Sequence, residues 1–206
     1  MLRYVTLLTI ATFVSTSQAE RPIFSGPQIG EPLPAFSAES VSGKNRGEMV
    51  DFIKEVSDGP MMIVFFHERT RPAFGLTNAI AKFANTRKDP AIKSAVVFLT
   101  EDPTEMRKWT KNVAKHFSPN TTYAFSPDGK EGPGKYGLNR NVQLTVLVGD
   151  QGKVTGNFAI VQPQLQVDGP KIMKAIVDAT GGGEVPDISV LTQGGARMRA
   201  KRSEKK

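Results

Sequence analysis

The chain has no cysteine among its 206 residues. This absence excludes disulfide bonds, thiolate metal ligands and cysteine nucleophiles together. Histidine is scarce as well, with two residues, so we expect no metal site and predict no cofactor. A disulfide-free fold must be stabilised by packing alone, and a chain of this length buries enough apolar surface to manage it. Apolar residues make up 39% of the chain, which is typical of a globular protein.

The first nineteen residues have the pattern of a secretory signal. Arg3 supplies a positive start, residues 7–14 form a short apolar stretch, and Ser17-Gln18-Ala19 is a small-residue cleavage site. The stretch is shorter than the about 20 apolar residues of a membrane-spanning helix. We therefore predict a signal peptide over residues 1–19 and an exported protein, periplasmic or extracellular. The sequence leaves open whether the signal is cleaved or stays as an anchor.

The positive charge of the chain is concentrated at its C-terminus. The formal net charge is +7, and residues 196–206 carry six basic side chains against one acidic one. We predict a flexible basic tail over residues 182–206 that binds an anionic envelope polymer or lipid weakly through its cations. These cations include Arg197, Arg199, Lys201 and Arg202. The alternative is a solvated tail that aids solubility, and nucleic acid is the least favoured partner of an exported protein.

Apolar spacing predicts strands and helices in alternation. Residues 20–30 are rich in proline and glycine and predict an extended lead-in. Strands are predicted over residues 36–41, 61–66, 95–99, 122–125, 144–148 and 154–160, and helices over residues 49–56, 73–87, 103–117 and 168–180. Crossover helices between apolar strands indicate an α/β domain over residues 31–181, with a central mixed sheet and helices on both faces.

Four segments together resemble a known family. They are Gly30-Glu31-Pro32-Leu33-Pro34-Ala35-Phe36, Ser42-Gly43-Lys44, residues 63–73 and residues 142–154. In order and spacing they resemble the redoxin branch of the thioredoxin-like superfamily, the peroxiredoxin-like and TlpA-like exported proteins. The resemblance covers about residues 28–180 and implies a thioredoxin-like fold.

The chain departs from the family pattern at its redox site. Thr70 and Ala73 stand where the family has Cys-x-Pro-Cys, and Gln143 stands at the family's cis-proline position. Neither Thr70 nor Ala73 can replace a thiolate, so the resemblance implies a domain without thiol-disulfide exchange or peroxidase activity. A cis bond before a non-proline residue costs about 3 kcal/mol, so we expect a trans bond before Gln143.

The same segment contains the candidate ligand-binding residues. Arg69, Thr70 and Arg71 stand at the predicted helix N-terminus, where free amides and two guanidinium groups favour an anion. The alternative is that both arginines are solvated or pair with Glu68. Gln143 is expected beside this turn, together with His67.

His67 has three possible interpretations. It could act as a general base toward Thr70, or join Glu68 and the distant His116 at a metal ion, but either role needs a partner that the sequence does not show. A plain histidine at the end of a strand is the simplest interpretation, and no catalytic set is identifiable.

The leading hypothesis is an exported, redox-inactive thioredoxin-like domain that works as a binding or interaction module. Its groove beside Arg71 and Gln143 would hold a protein, a peptide or a small anionic ligand. One alternative is a non-redox enzyme that uses His67, Thr70 and Arg71. A second alternative is an envelope accessory protein tethered by its basic tail.

Overall fold

A computed structural model describes residues 22–41, 45–53 and 59–189. The predicted signal peptide, the Ser42-Gly43-Lys44 turn and the basic residues of the tail lie outside the described residues. Within the described part of the chain, no helix is both long and apolar enough to cross a bilayer.

The described residues form one seven-stranded sheet with helices packed against it. In chain order the elements are β1 (Ser37–Ser40), β2 (Met49–Asp51), β3 (Met61–Phe66), α1 (Arg71–Ala84), β4 (Lys93–Phe98), α2 (Pro103–Val113), β5 (Thr121–Phe125), β6 (Leu144–Asp150), β7 (Lys153–Ile160) and α3 (Leu165–Ala179). The strand order is β2-β1-β5-β4-β3-β6-β7. Strands β3, β4 and β5 are parallel to one another, and the other neighbours are antiparallel. The predicted α/β class with a mixed sheet is confirmed.

Strand β3 is buried on both faces, as its apolar run predicts. Alternate side chains of a strand point to opposite faces, so Met62, Val64 and Phe66 join one core and Met61, Ile63 and Phe65 join the other. The first core is completed by α1, α2 and α3. The second is covered by the lead-in, by helical residues Phe52 and Ile53, and by a loop that contains Tyr136.

The predicted helix over residues 49–56 is wrong at its start. Residues Met49–Asp51 form β2, which pairs antiparallel with β1, and helical geometry begins only at Phe52. The helical spacing of the apolar residues does not exclude a strand here, because Val50 and Phe52 are buried in either conformation. Hydrogen bonding to the free edge of β1 outweighs the local pattern.

Helix α3 begins at Leu165, before the Asp168-Gly169-Pro170 sequence that we expected to open it. The Asp168 carboxylate accepts a hydrogen bond from the backbone N–H of Gln164 at 2.7 Å, so the aspartate lies inside the first turn. At the other end, Gly181 has φ of +83° and the Gly182 N–H donates to Val177 O at 2.8 Å. This is the Schellman closure of a helix C-terminus.

Residue Ile188 lies beyond the end of α3 and packs onto this helix. It is 7% exposed, and it lies so close to Gly169 that a Cβ added there would be 2.1 Å from Ile188 Cδ1. The absence of a side chain at Gly169 therefore makes room for the isoleucine.

Candidate functional site

The turn between β3 and α1 has the predicted strand-turn-helix geometry. Thr70 is the N-cap of α1, and its Oγ1 accepts a hydrogen bond from the Ala73 N–H at 3.3 Å. Pro72 lies in the first turn, where backbone N–H groups have no acceptor within the helix. The missing N–H of the proline therefore costs no helical hydrogen bond. The Thr70 hydroxyl thus has a structural task at the position where the family pattern has a thiol.

Gln143 meets Thr70 directly. The Thr70 hydroxyl donates to Gln143 Oε1 at 2.7 Å. Since the hydroxyl oxygen already accepts from Ala73, its proton is free for the glutamine oxygen. The Gln143 backbone oxygen accepts from the N–H of His67 at 3.0 Å, and the peptide bond before Gln143 is trans, as we expected. Two of the three positions that depart from the family pattern, Thr70 and Gln143, are therefore joined by a side-chain hydrogen bond.

The two arginines of the turn have different surroundings. Arg69 donates to both carboxylate oxygens of Glu105 on α2, each at 2.9 Å, and so does not pair with Glu68. This ion pair, in which a single guanidinium nitrogen contacts both oxygens, ties the turn to α2. Arg71 is exposed and has no ion pair or hydrogen bond among the described residues. Of the two, Arg71 is the one left available to a ligand.

His67 is directed to Thr145 and not to Thr70. Its Nε2 lies 3.0 Å from Thr145 Oγ1, and burial lowers the pKa of His67 to about 4. The Thr70 hydroxyl donates its hydrogen bond to Gln143 and not to His67. The structure therefore does not form the pair of His67 as base and Thr70 as nucleophile that the enzyme alternative requires. Among the described residues, no three His, Cys, Asp or Glu side chains are placed to hold a metal ion.

Sequence reasoning missed the hydroxyl network behind His67. Thr145 Oγ1 lies 2.5 Å from Ser25 Oγ, which accepts a hydrogen bond from the Asn139 N–H at 3.0 Å. Thr145 and Ser25 are both buried. The only signal for this network was a threonine inside the apolar run of β6, because Ser25 lies 120 residues away in the sequence.

A cleft lies at the carboxyl ends of β3 and β4. It has a volume of about 260 Å³, and we call it the charged cleft. Its lining residues are His67, Glu68, Glu101, Lys130 and Arg140. The last three were not expected from the sequence, because they come from loops without a recognisable motif. Lys130 pairs with Glu101 at 3.7 Å, and Arg140 contacts Glu131.

No family model matches the sequence, and no curated protein matches it. Solved structures do resemble the fold. A putative thiol:disulfide interchange protein DsbE from Chlorobium tepidum gives a TM-score of 0.59 at 19% identity, over 75% of this chain and 99% of that chain. An uncharacterized conserved protein from Geobacillus kaustophilus gives 0.58 at 17% identity, over 82% and 92%. A putative protein disulfide isomerase from Bacteroides thetaiotaomicron gives 0.51 at 17% identity, over 66% and 83%.

At these identities the likeness concerns the fold alone. The expected thioredoxin-like fold is confirmed, with its mixed sheet and its helix following the central strand. The chain thus combines a thioredoxin-like fold with the complete absence of cysteine, and thiol-based redox chemistry is excluded.

Proposed function

We propose that this protein is an exported, redox-inactive module that binds a peptide or a small anionic ligand. The binding surface is the mouth formed by Thr70, Arg71 and Gln143. The observation that carries the proposal is the 2.7 Å hydrogen bond from Thr70 to Gln143. The family pattern has a reactive thiol facing a proline at these two positions. Here the hydrogen bond holds the two sides of the mouth together, and neither side chain is reactive.

The hydrogen-bonding groups left free at the mouth are donors. Gln143 Oε1 and Thr70 Oγ1 both accept hydrogen bonds within the protein. Gln143 Nε2 and the Arg71 guanidinium have no partner among the described residues. A surface that offers only donors, one of them a cation, favours carboxylate oxygens or peptide carbonyls. This argument selects an acceptor-rich ligand over a cation or an apolar molecule.

Export and the role of the tail rest on the sequence. The pattern of residues 1–19 supports secretion, and in an exported protein the cations of residues 196–206 meet anionic envelope material. We expect removal of residues 190–206 to reduce retention on an anionic matrix at low salt, because charge neutralisation supplies the attraction. Unchanged retention would exclude this role of the tail.

Binding at the mouth is tested by NMR titration of the ¹⁵N-labelled protein with N-acetyl-trialanine and with its C-terminal amide. We expect the free carboxylate to bind more tightly and to shift the Gln143 side-chain amide and the Arg71 Nε–H signals. Arg71→Gln should weaken this binding about tenfold, the typical effect of losing one charge-assisted hydrogen bond. The matched control is Lys82→Gln, which removes the same charge near the other end of α1 and should change nothing.

Equal weakening in the two variants would mean a general charge effect and would contradict the proposal. Shifts that avoid Gln143 altogether would contradict it as well. Thr70→Val gives a second check at the mouth. It removes the hydroxyl that holds the glutamine oxygen, so the side-chain amide is free to rotate and the affinity for the carboxylate should fall.

A further inference from the structure

The charged cleft shares no lining residue with the mouth. His67 and Glu68 follow β3, and Glu101 follows β4. Lys130 and Arg140 come from the segment between β5 and β6. In α/β sheets, ligands bind in crevices outside the carboxyl ends of the parallel strands. The charged cleft has this position.

The hydroxyl network decides which nitrogen of His67 carries the proton. The Asn139 N–H donates to Ser25 Oγ at 3.0 Å, and the one other partner of Ser25 Oγ among the described residues is Thr145 Oγ1. If Ser25 donates to Thr145, then Thr145 donates to His67 Nε2 and every hydroxyl proton has an acceptor. The opposite order leaves the proton of Ser25 unpaired in a residue that is 1% exposed.

The direction in which every hydroxyl proton has an acceptor makes Nε2 of His67 a hydrogen-bond acceptor. The imidazole proton is therefore on Nδ1. Nδ1 has no partner among the described residues, and the ring lines the charged cleft. Because burial lowers the pKa of His67 to about 4, the ring is neutral near neutral pH. His67 therefore supplies a neutral N–H donor and adds no charge to the cleft.

The charges that line the cleft cancel. Two lining residues are acidic and two are basic. Glu68 has no ion pair among the described residues. Glu101 and Lys130 lie 3.7 Å apart, and their side chains are 73% and 59% exposed, so their mutual attraction is weak. A ligand with charge of one sign would be attracted by half of the lining and repelled by the other half.

We propose that the charged cleft binds a small zwitterion, a molecule of amino acid or dipeptide size with one ammonium group and one carboxylate. Glu68 and Glu101 receive the ammonium group, while Lys130, Arg140 and the His67 N–H receive the carboxylate. A volume of about 260 Å³ lies below the about 300–1,000 Å³ of pockets for drug-sized ligands, so it suits a molecule of this smaller size. This site is additional to the mouth and independent of it.

Three matched probes separate the two charges of the ligand. They are L-alanyl-L-alanine, its N-acetyl derivative, which keeps only the carboxylate, and its C-terminal amide, which keeps only the ammonium group. Titrated into the ¹⁵N-labelled protein, the dipeptide should shift the amide signals of Glu68, Glu101 and Lys130. We expect it to bind at least about tenfold more tightly than either derivative, because each charge pairs with its own partners.

Three variants assign the binding to the cleft. Glu68→Gln and Lys130→Gln should each weaken dipeptide binding about fivefold or more. Lys174→Gln, which also removes a lysine from an exposed ion pair, is the matched control and should leave the affinity unchanged. Binding at the mouth is followed separately through the Gln143 side-chain amide signal, so failure of this proposal is distinct from failure at the mouth. In ¹⁵N spectra of the imidazole, we expect a protonated Nδ1 in His67.

Several results would overturn the proposal. One is the absence of saturable shifts at the cleft, and another is a singly charged derivative that binds as tightly as the dipeptide. Equal losses in Lys130→Gln and Lys174→Gln would show a general charge effect. A proton on Nε2 of His67 would remove the donor that we assign to the carboxylate end.

Discussion

Acid is expected to destabilise the fold through His67. Burial lowers the pKa of this side chain to about 4, whereas an exposed histidine in the unfolded chain titrates near about 6.5. As the pH falls, the unfolded chain therefore takes up this proton before the folded protein does. The stabilisation that depends on neutral His67 is complete above about pH 6.5 and is lost progressively down to about pH 4, below which the loss is complete.

The size of the effect follows from the difference between the two pKa values. The free energy of unfolding should fall by about 1 kcal/mol between about pH 7 and about pH 5.5. By about pH 4.5 the total loss through His67 should be about 2 kcal/mol. Domains of this size are stable by about 5–15 kcal/mol, so the change is a measurable share of the total.

Urea denaturation at a series of pH values measures this loss. The single tryptophan, Trp109, packs against Phe66 and Phe98, so its fluorescence reports on the core. The comparison is with His67→Gln, whose amide can still reach Thr145 and does not titrate.

Subtracting the unfolding free energy of the variant from that of the wild type cancels the contribution of the carboxylates, which also titrate in this range. The difference in unfolding free energy between wild type and His67→Gln should therefore change with pH over this range. Wild-type and His67→Gln curves that run parallel from about pH 7 to about pH 4.5 would refute the reasoning, because burial would then not disfavour the charged ring.

Three further predictions concern packing and capping, each measured by urea denaturation. Gly169→Ala should destabilise by about 1 kcal/mol because the new Cβ displaces Ile188, and the loss should be smaller in an Ile188→Ala background. Equal effects in both backgrounds would exclude the contact. Arg87→Lys should cost about 1–2 kcal/mol, since a lysine cannot reproduce the hydrogen bonds to the Thr180 hydroxyl and to two carbonyls beyond α3; no loss would mean that these bonds are not formed in solution. Thr70→Ala should cost about 1 kcal/mol and Thr70→Ser much less, because serine keeps the cap, and equal costs would contradict the capping role.

Several elements were predictable from local sequence signals. The apolar run of residues 61–66 becomes β3, the central strand. The Asp102-Pro103-Thr104-Glu105 sequence begins α2, where the Asp102 carboxylate accepts from the Glu105 N–H at 2.8 Å. The Asp150-Gln151-Gly152-Lys153 turn between β6 and β7 has φ of +48° at Gln151 and +73° at Gly152, the geometry of a two-residue β-hairpin loop. Each of these signals acts within about one turn of chain, so the sequence states it directly.

Other features depended on partners far along the chain. Residues 49–51 carry a helical spacing of apolar residues, and only the free edge of β1 makes them a strand. Burial of Ile188 depends on the gap over Gly169 in α3, which no pattern in the final residues indicates. In both cases the tertiary contact outweighs a weak local preference.

The sequence by itself determined that thiol chemistry is absent, because the chain has no cysteine, and it located Thr70 and Gln143 as the altered positions. Only the tertiary structure decided that these two side chains bond to each other across 73 residues of sequence. It also decided that His67 turns to Thr145 and lines a cleft of balanced charge. The physical reason is that the pairing of β3 with β6 brings these residues together. A pairing between strands far apart in the sequence produces no local pattern at the residues that it joins.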